Sequence, residues 1–217
     1  VSRIVLLGPQ QFEQTAGQTL KQLGISGRVA MITAGWQEWE ADDQPLSAQL
    51  GVETVNLGLY ARGDAVWSAD PELRTAHTGM QDRLRQLRRL YNRRLAHLAA
   101  DWLELLAEEG PEEMLGPERA QALASIQALD AHHICRITEI TSDFEERFAL
   151  RERPTVQKER SEIETTLNDC EAVVIEGGHV AVLRNRMRLF GLPDLLGERT
   201  VLACSGGAMV LGERVVL

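Results

Sequence analysis

The chain opens with short, continuous apolar runs separated by stretches of helical spacing. Ile4-Val5-Leu6-Leu7 ends at Gly8-Pro9, and Val29-Ala30-Met31-Ile32 ends at Ala34-Gly35. A third run extends from Val52 to Leu57. Between them, Phe12 to Leu23 (closed by Gly24) and the short segment Leu46 to Leu50 read as helices. The alternation returns late in the chain. Ala172-Val173-Val174-Ile175 reads as a strand, His179 to Phe190 as a helix, and Thr200 to Ala203 as another strand. Strands that are apolar throughout and alternate with helices predict a parallel sheet covered on both faces.

The middle of the chain has another texture. Met80, Leu84, Leu87, Tyr91, Leu95, Leu98, Trp102 and Leu105 recur at steps of three and four. That stripe predicts one helix of about 30 residues, ~45 Å long. Gly110-Pro111 stops it, and Pro117 reads as the first-turn proline of a second helix. There Leu123, Ile126, His133, Ile137, Ile140, Phe144 and Phe148 repeat the spacing up to Pro154, and a third helix covers Val156 to Leu167. The expected organisation is an α/β sheet domain from residues 1–60 and 170–217, with residues 70–168 inserted as a helical hairpin or bundle. Two helices alone leave apolar surface uncovered, so the hairpin is an expected dimerisation arm.

Composition narrows the function classes. The 217 residues carry a net charge of −9, which argues against a nucleic-acid partner and gives no pull toward an anionic membrane. No run is long and apolar enough for a membrane span. Cys135, Cys170 and Cys204 are scattered, and the five histidines show no ligand spacing, so a reduced, cytoplasmic protein without metal or cofactor is expected. The arginine run Arg83, Arg85, Arg88, Arg89, Arg93 and Arg94 reads as a solvated face. Its expected counter-charges are Glu104, Glu108, Glu109, Glu112 and Glu113, in neighbouring turns or in a partner chain.

The chemistry concentrates at Ala203-Cys204-Ser205-Gly206-Gly207, between an apolar strand and the helical start Ala208-Met209-Val210-Leu211. A nucleophile elbow needs small residues two before and two after its apex, because the turn is tight. Ala203 and Gly207 satisfy that with Ser205 at the apex, whereas a Cys204 apex would put Leu202 at a small position. A second cue is Glu176-Gly177-Gly178-His179-Val180, where paired glycines leave N–H groups open before a helix. In a parallel sheet these segments share the carboxyl edge with Gly8-Pro9 and Ala34-Gly35-Trp36, the edge where ligands bind.

With those two motifs in that order, the chain resembles the peptidase E and cyanophycinase group of serine peptidases, in the class I glutamine amidotransferase-like fold. The likeness covers residues 1–60 and 170–217. It implies an α/β parallel-sheet three-layer sandwich and a small peptide or amide substrate, with an acidic residue beside the scissile bond. It also implies Ser205 as nucleophile, and an oxyanion hole from the Gly206 N–H and that of Gly177 or Gly178. Glu176, Gly35 and Trp36 fall on the same edge as expected substrate contacts. His179 stands where the family has asparagine, and Gly206 where it has alanine. The family's histidine and acidic partner lie downstream of the elbow, so a further C-terminal segment is expected, with Leu211 to Leu217 as a strand leading into it. Within this stretch, His179 is the candidate base, oriented by Glu176; the other reading makes it a helix cap or substrate contact. The rival to a serine hydrolase is a catalytically silent relative that binds a small molecule or a partner protein.

Overall fold

The computed structural model describes residues 3–11 and 13–212. Phe12 and residues 213–217 lie outside the described residues, as does that part of the expected first helix and of the expected terminal strand. The chain divides into two compact units, residues 1–70 with 150–217, and residues 71–149.

The first unit holds an all-parallel sheet of five strands: β1 (Ile4–Leu7), β2 (Val29–Ile32), β3 (Thr54–Asn56), β4 (Ala172–Ile175) and β5 (Thr200–Cys204), in the order β1-β5-β4-β2-β3. Its helices are α1 (Ala16–Gln22), α2 (Gln44–Leu50), α3 (Leu59–Ala69), α6 (Pro154–Asn168), α7 (Val180–Leu189), α8 (Leu192–Leu196) and α9 (Gly206–Val210). Strand parity sorts the core. Val29, Met31, Ala172, Val174, Leu202 and Cys204 join Leu20 of α1 and Leu46 and Leu50 of α2 in one cluster. The alternate residues Ala30, Ile32, Val173, Ile175, Val201 and Ala203 point the other way and are also buried, under the layer in which α3, α6, α7 and α8 touch one another. Helices therefore lie on both faces of the sheet, as a layered α/β unit requires.

Two polar anchors fix this second layer. Arg186 of α7, only 9% exposed, pairs with Asp64 at 2.8 Å and lies over the rings of Tyr60 and Trp67. Gly63 makes room for it, since a Cβ there would stand 2.5 Å from the Arg186 Nε. Arg62 of α3 bridges Glu159 and Glu162 of α6.

The second unit is a helical pair, α4 (Pro71–Ala107) and α5 (Glu112–Phe148), each of 37 residues. The two pack along each other through the apolar stripes. His133 is buried on the seam and stacks on Tyr91 at 4.1 Å, while the Tyr91 hydroxyl donates to Asp130. Two boundaries differ from expectation. Helix α4 runs further toward its N-terminus than its apolar stripe, because the polar residues before Met80 are ordinary helix formers. Pro111, not Pro117, begins α5: Pro111 is extended at the N-cap, and Glu112 and Glu113 occupy the first turn, where the helix dipole favours acids. Pro117 lies inside the helix. Arg119 then closes the turn by donating to the Leu105 and Glu108 carbonyls at the open end of α4.

Candidate active site

Three loops meet at the carboxyl edge of the sheet, after β2, β4 and β5. The helix after β2 (α2) covers one face, while the helix after β4 (α7) belongs to the layer on the other, so the chain diverges between these neighbouring strands. Such a divergence opens a crevice in parallel sheets.

Ser205 leaves β5 with φ 51° and ψ −118°, a backbone conformation that side chains other than glycine's rarely adopt. The surroundings hold it there. Ser205 N–H is tied to the Leu7 carbonyl of β1 at 3.0 Å, and its own carbonyl accepts from Ala208 and Met209 at the start of α9. Gly207 lies so close to β4 that a Cβ would sit 2.2 Å from the Ile175 carbonyl oxygen. The side chain of Ser205 is exposed and does not cap α9. This is the geometry of an elbow that presents its hydroxyl outward, with the bulk-free neighbours on which the sequence argument rested.

The glycines after β4 form the wall beside it. A Cβ on Gly177 would meet the Gly206 nitrogen at 2.9 Å and the Ser205 Oγ at 3.3 Å. Gly35 closes the far side, its carbonyl accepting from His179 N–H at 2.7 Å. Ser205, Gly206, Gly177, Gly178, Gly35 and His179 therefore form one continuous cradle. Its two candidate oxyanion donors after β4 are not equal. Gly177 N–H turns inward to the Glu176 carboxyl at 3.3 Å, which leaves Gly178, at φ 99°, to face the cradle.

Glu176, Trp36 and His179 sit differently from open substrate contacts. Glu176 is 9% exposed, beneath its own loop, where its carboxyl meets Gly177 N–H and the thiol of Cys204. Burial raises the Glu176 pKa, and burial beside that carboxyl pushes the Cys204 thiol well up. A fully buried thiol held protonated is a poor nucleophile, so the elbow chemistry rests on Ser205. Trp36 packs against the apolar cluster of the first sheet face. His179 is the N-cap of α7, its Nδ1 accepting from the Val182 N–H at 3.4 Å. A neutral ring whose Nδ1 accepts carries its proton on Nε2.

Sequence reasoning passed over the loop after β2. Gln37 there has φ 61° and ψ −124°, nearly the backbone of Ser205, and Trp39 is 66% exposed. Several bonds brace the loop. Thr33 Oγ1 and Asn56 Nδ2 donate to the Glu40 carbonyl, and the buried Glu40 carboxyl accepts from Tyr60 and Ala61 at the open end of α3. Desolvation raises the Glu40 pKa despite those two N–H groups. A glutamine carries no sequence cue for a positive φ. The Glu176–Cys204 contact was legible only once the β4–β5 register was known, since it places the residues after Ile175 and Ala203 side by side.

No protein-family model, curated protein or solved structure matches the chain. Among the described residues no group of three or more histidine, cysteine, aspartate or glutamate side chains is arranged to hold a metal ion. No helix among them is long and apolar enough to cross a membrane.

Proposed function

We propose that this chain is a serine hydrolase of the peptidase E and cyanophycinase type, on a class I glutamine amidotransferase-like sheet, acting on a small peptide or amide. The observation that carries the reading is the strained backbone of Ser205 at the end of β5, in a cradle of glycines. Strain of about 1–3 kcal/mol persists only where the surroundings enforce it, and it clusters at reacting residues. In this reading the Ser205 hydroxyl attacks the substrate carbonyl. The Gly206 and Gly178 N–H groups receive the resulting oxyanion, each such donor being worth about 3 kcal/mol of barrier. Attack requires a base for the hydroxyl proton. His179 serves only if its ring leaves the α7 cap, because Nδ1 is engaged there.

That engagement favours a second reading, in which the elbow survives in a binding protein without catalysis. The two are separated by labelling the protein with a fluorophosphonate probe and locating the adduct by peptide mass spectrometry. Labelling of Ser205 that disappears in Ser205→Ala supports the hydrolase. A folded protein that takes up no label supports the binding protein.

A further inference from the structure

The helical unit carries a second ordered pattern, on the side of α4 away from its apolar stripe. Arg89, Arg93, His97, Ala100, Glu104 and Glu108 recur at steps of four, four, three, four and four, and all six are exposed. Such spacing lines them along one face of a helix. Glu108 stands one residue beyond Ala107 but keeps the helical bond from its N–H to the Glu104 carbonyl. Among the described residues none of these four charged side chains has an ion-pair partner. Within one chain the arrangement is unfavourable, because like charges four apart on a helix repel by about 0.2–0.5 kcal/mol per pair.

The stripe is its own complement. Arg93 lies as far before the point between Leu98 and Ala99 as Glu104 lies after it, and Arg89 and Glu108 are related in the same way. Leu90, half exposed, mirrors Ala107 about that point. We propose that α4 docks antiparallel on α4 of a second copy through this face. The two-fold axis passes near Leu98 and Ala99, with Arg93 against Glu104 and Arg89 against Glu108, each pair formed twice. A two-fold contact needs a self-complementary patch, which a stripe that changes sign at its midpoint provides. A polyanion or polycation is a poorer occupant, since half the stripe repels it. His97 and the small Ala100 at the crossing let the helices approach. A stripe ~30 Å long without a large apolar centre fits the small, salt-sensitive class of interface, of about 1,200 Å² or less. This surface does not depend on the hydrolase reading.

The test is sedimentation equilibrium of the full chain and two variants, Arg89→Glu/Arg93→Glu and Glu104→Arg/Glu108→Arg, with circular dichroism to establish folding. Wild type is expected to dimerise at about 50 mM salt, with a dissociation constant at least tenfold weaker near 500 mM. Each variant alone carries four like charges on the face, and its dimer is expected to weaken by about 30-fold or more. An equimolar mixture restores every pair with the signs exchanged and is expected to form the heterodimer. A wild type that stays monomeric at low salt, variants that dimerise like wild type, or a mixture that fails to associate would each overturn the proposal.

Discussion

Replacing Ser205 by glycine tests the elbow without reference to any substrate. At φ 51° and ψ −118° the residue occupies a region that glycine enters freely, and any side chain costs about 1–3 kcal/mol there. Glycine loses about 0.5–1 kcal/mol through its greater freedom in the unfolded chain. The side chain is exposed and makes no cap bond, so its removal forfeits little packing. The difference leaves Ser205→Gly more stable than Ser205→Ala by about 1 kcal/mol, or about 3 °C in melting temperature for a unit of this size. Ser205→Ala keeps the Cβ and so keeps the strain. It is expected within ~0.5 kcal/mol of wild type, as for surface substitutions generally. Thermal unfolding followed by tryptophan fluorescence reads the right unit, because Trp36, Trp39 and Trp67 lie in the sheet unit and Trp102 alone lies in the helical one. Equal melting temperatures for the two variants would refute the reasoning, since the turn would then be unstrained and the hydrolase reading would lose its main support.

Two further outcomes follow from the packing beneath the elbow. Gly207→Ala places a Cβ 2.2 Å from the rigid Ile175 carbonyl, so the turn or the strand must move; a loss of about 3 kcal/mol or more is expected in the urea midpoint. Glu176 has its pKa raised on folding, so the unfolded chain releases that proton first, and stability falls as pH rises from about 4.3 through the folded value. Glu176→Gln removes this fall, and its stability relative to wild type should therefore grow with pH across that window, a difference that urea titrations between pH 4 and 8 measure directly.

Much of the scaffold was legible in the residues. The boundaries of β1, β2 and β4 coincide with apolar runs, because a strand buried on both faces tolerates no polar interruption and Gly or Pro ends it. The hairpin followed from its stripes for the same reason at helical period. Helix α3 escaped notice. Its Gly63 and mixed polarity give little helical signal, and the glycine is explained by Arg186, 123 residues further along the chain, lodging against it. Helix α6 was read with the hairpin but falls in the sheet unit, where it packs on α3 and α8.

Local sequence thus determined where strands and helices form, that the sheet is parallel, and which serine stands at a tight turn between small residues. Those are properties of hydrophobic period and of side-chain bulk, which neighbouring residues carry by themselves. The tertiary structure alone decided that Gly35, Gly177 and Ser205 share one cradle, and that Gly177 N–H faces Glu176 while Gly178 stays open. It also decided that Glu176 and Cys204 lie buried together. These outcomes depend on strand order and register, set by contacts between residues far apart in the chain, and no local pattern encodes them.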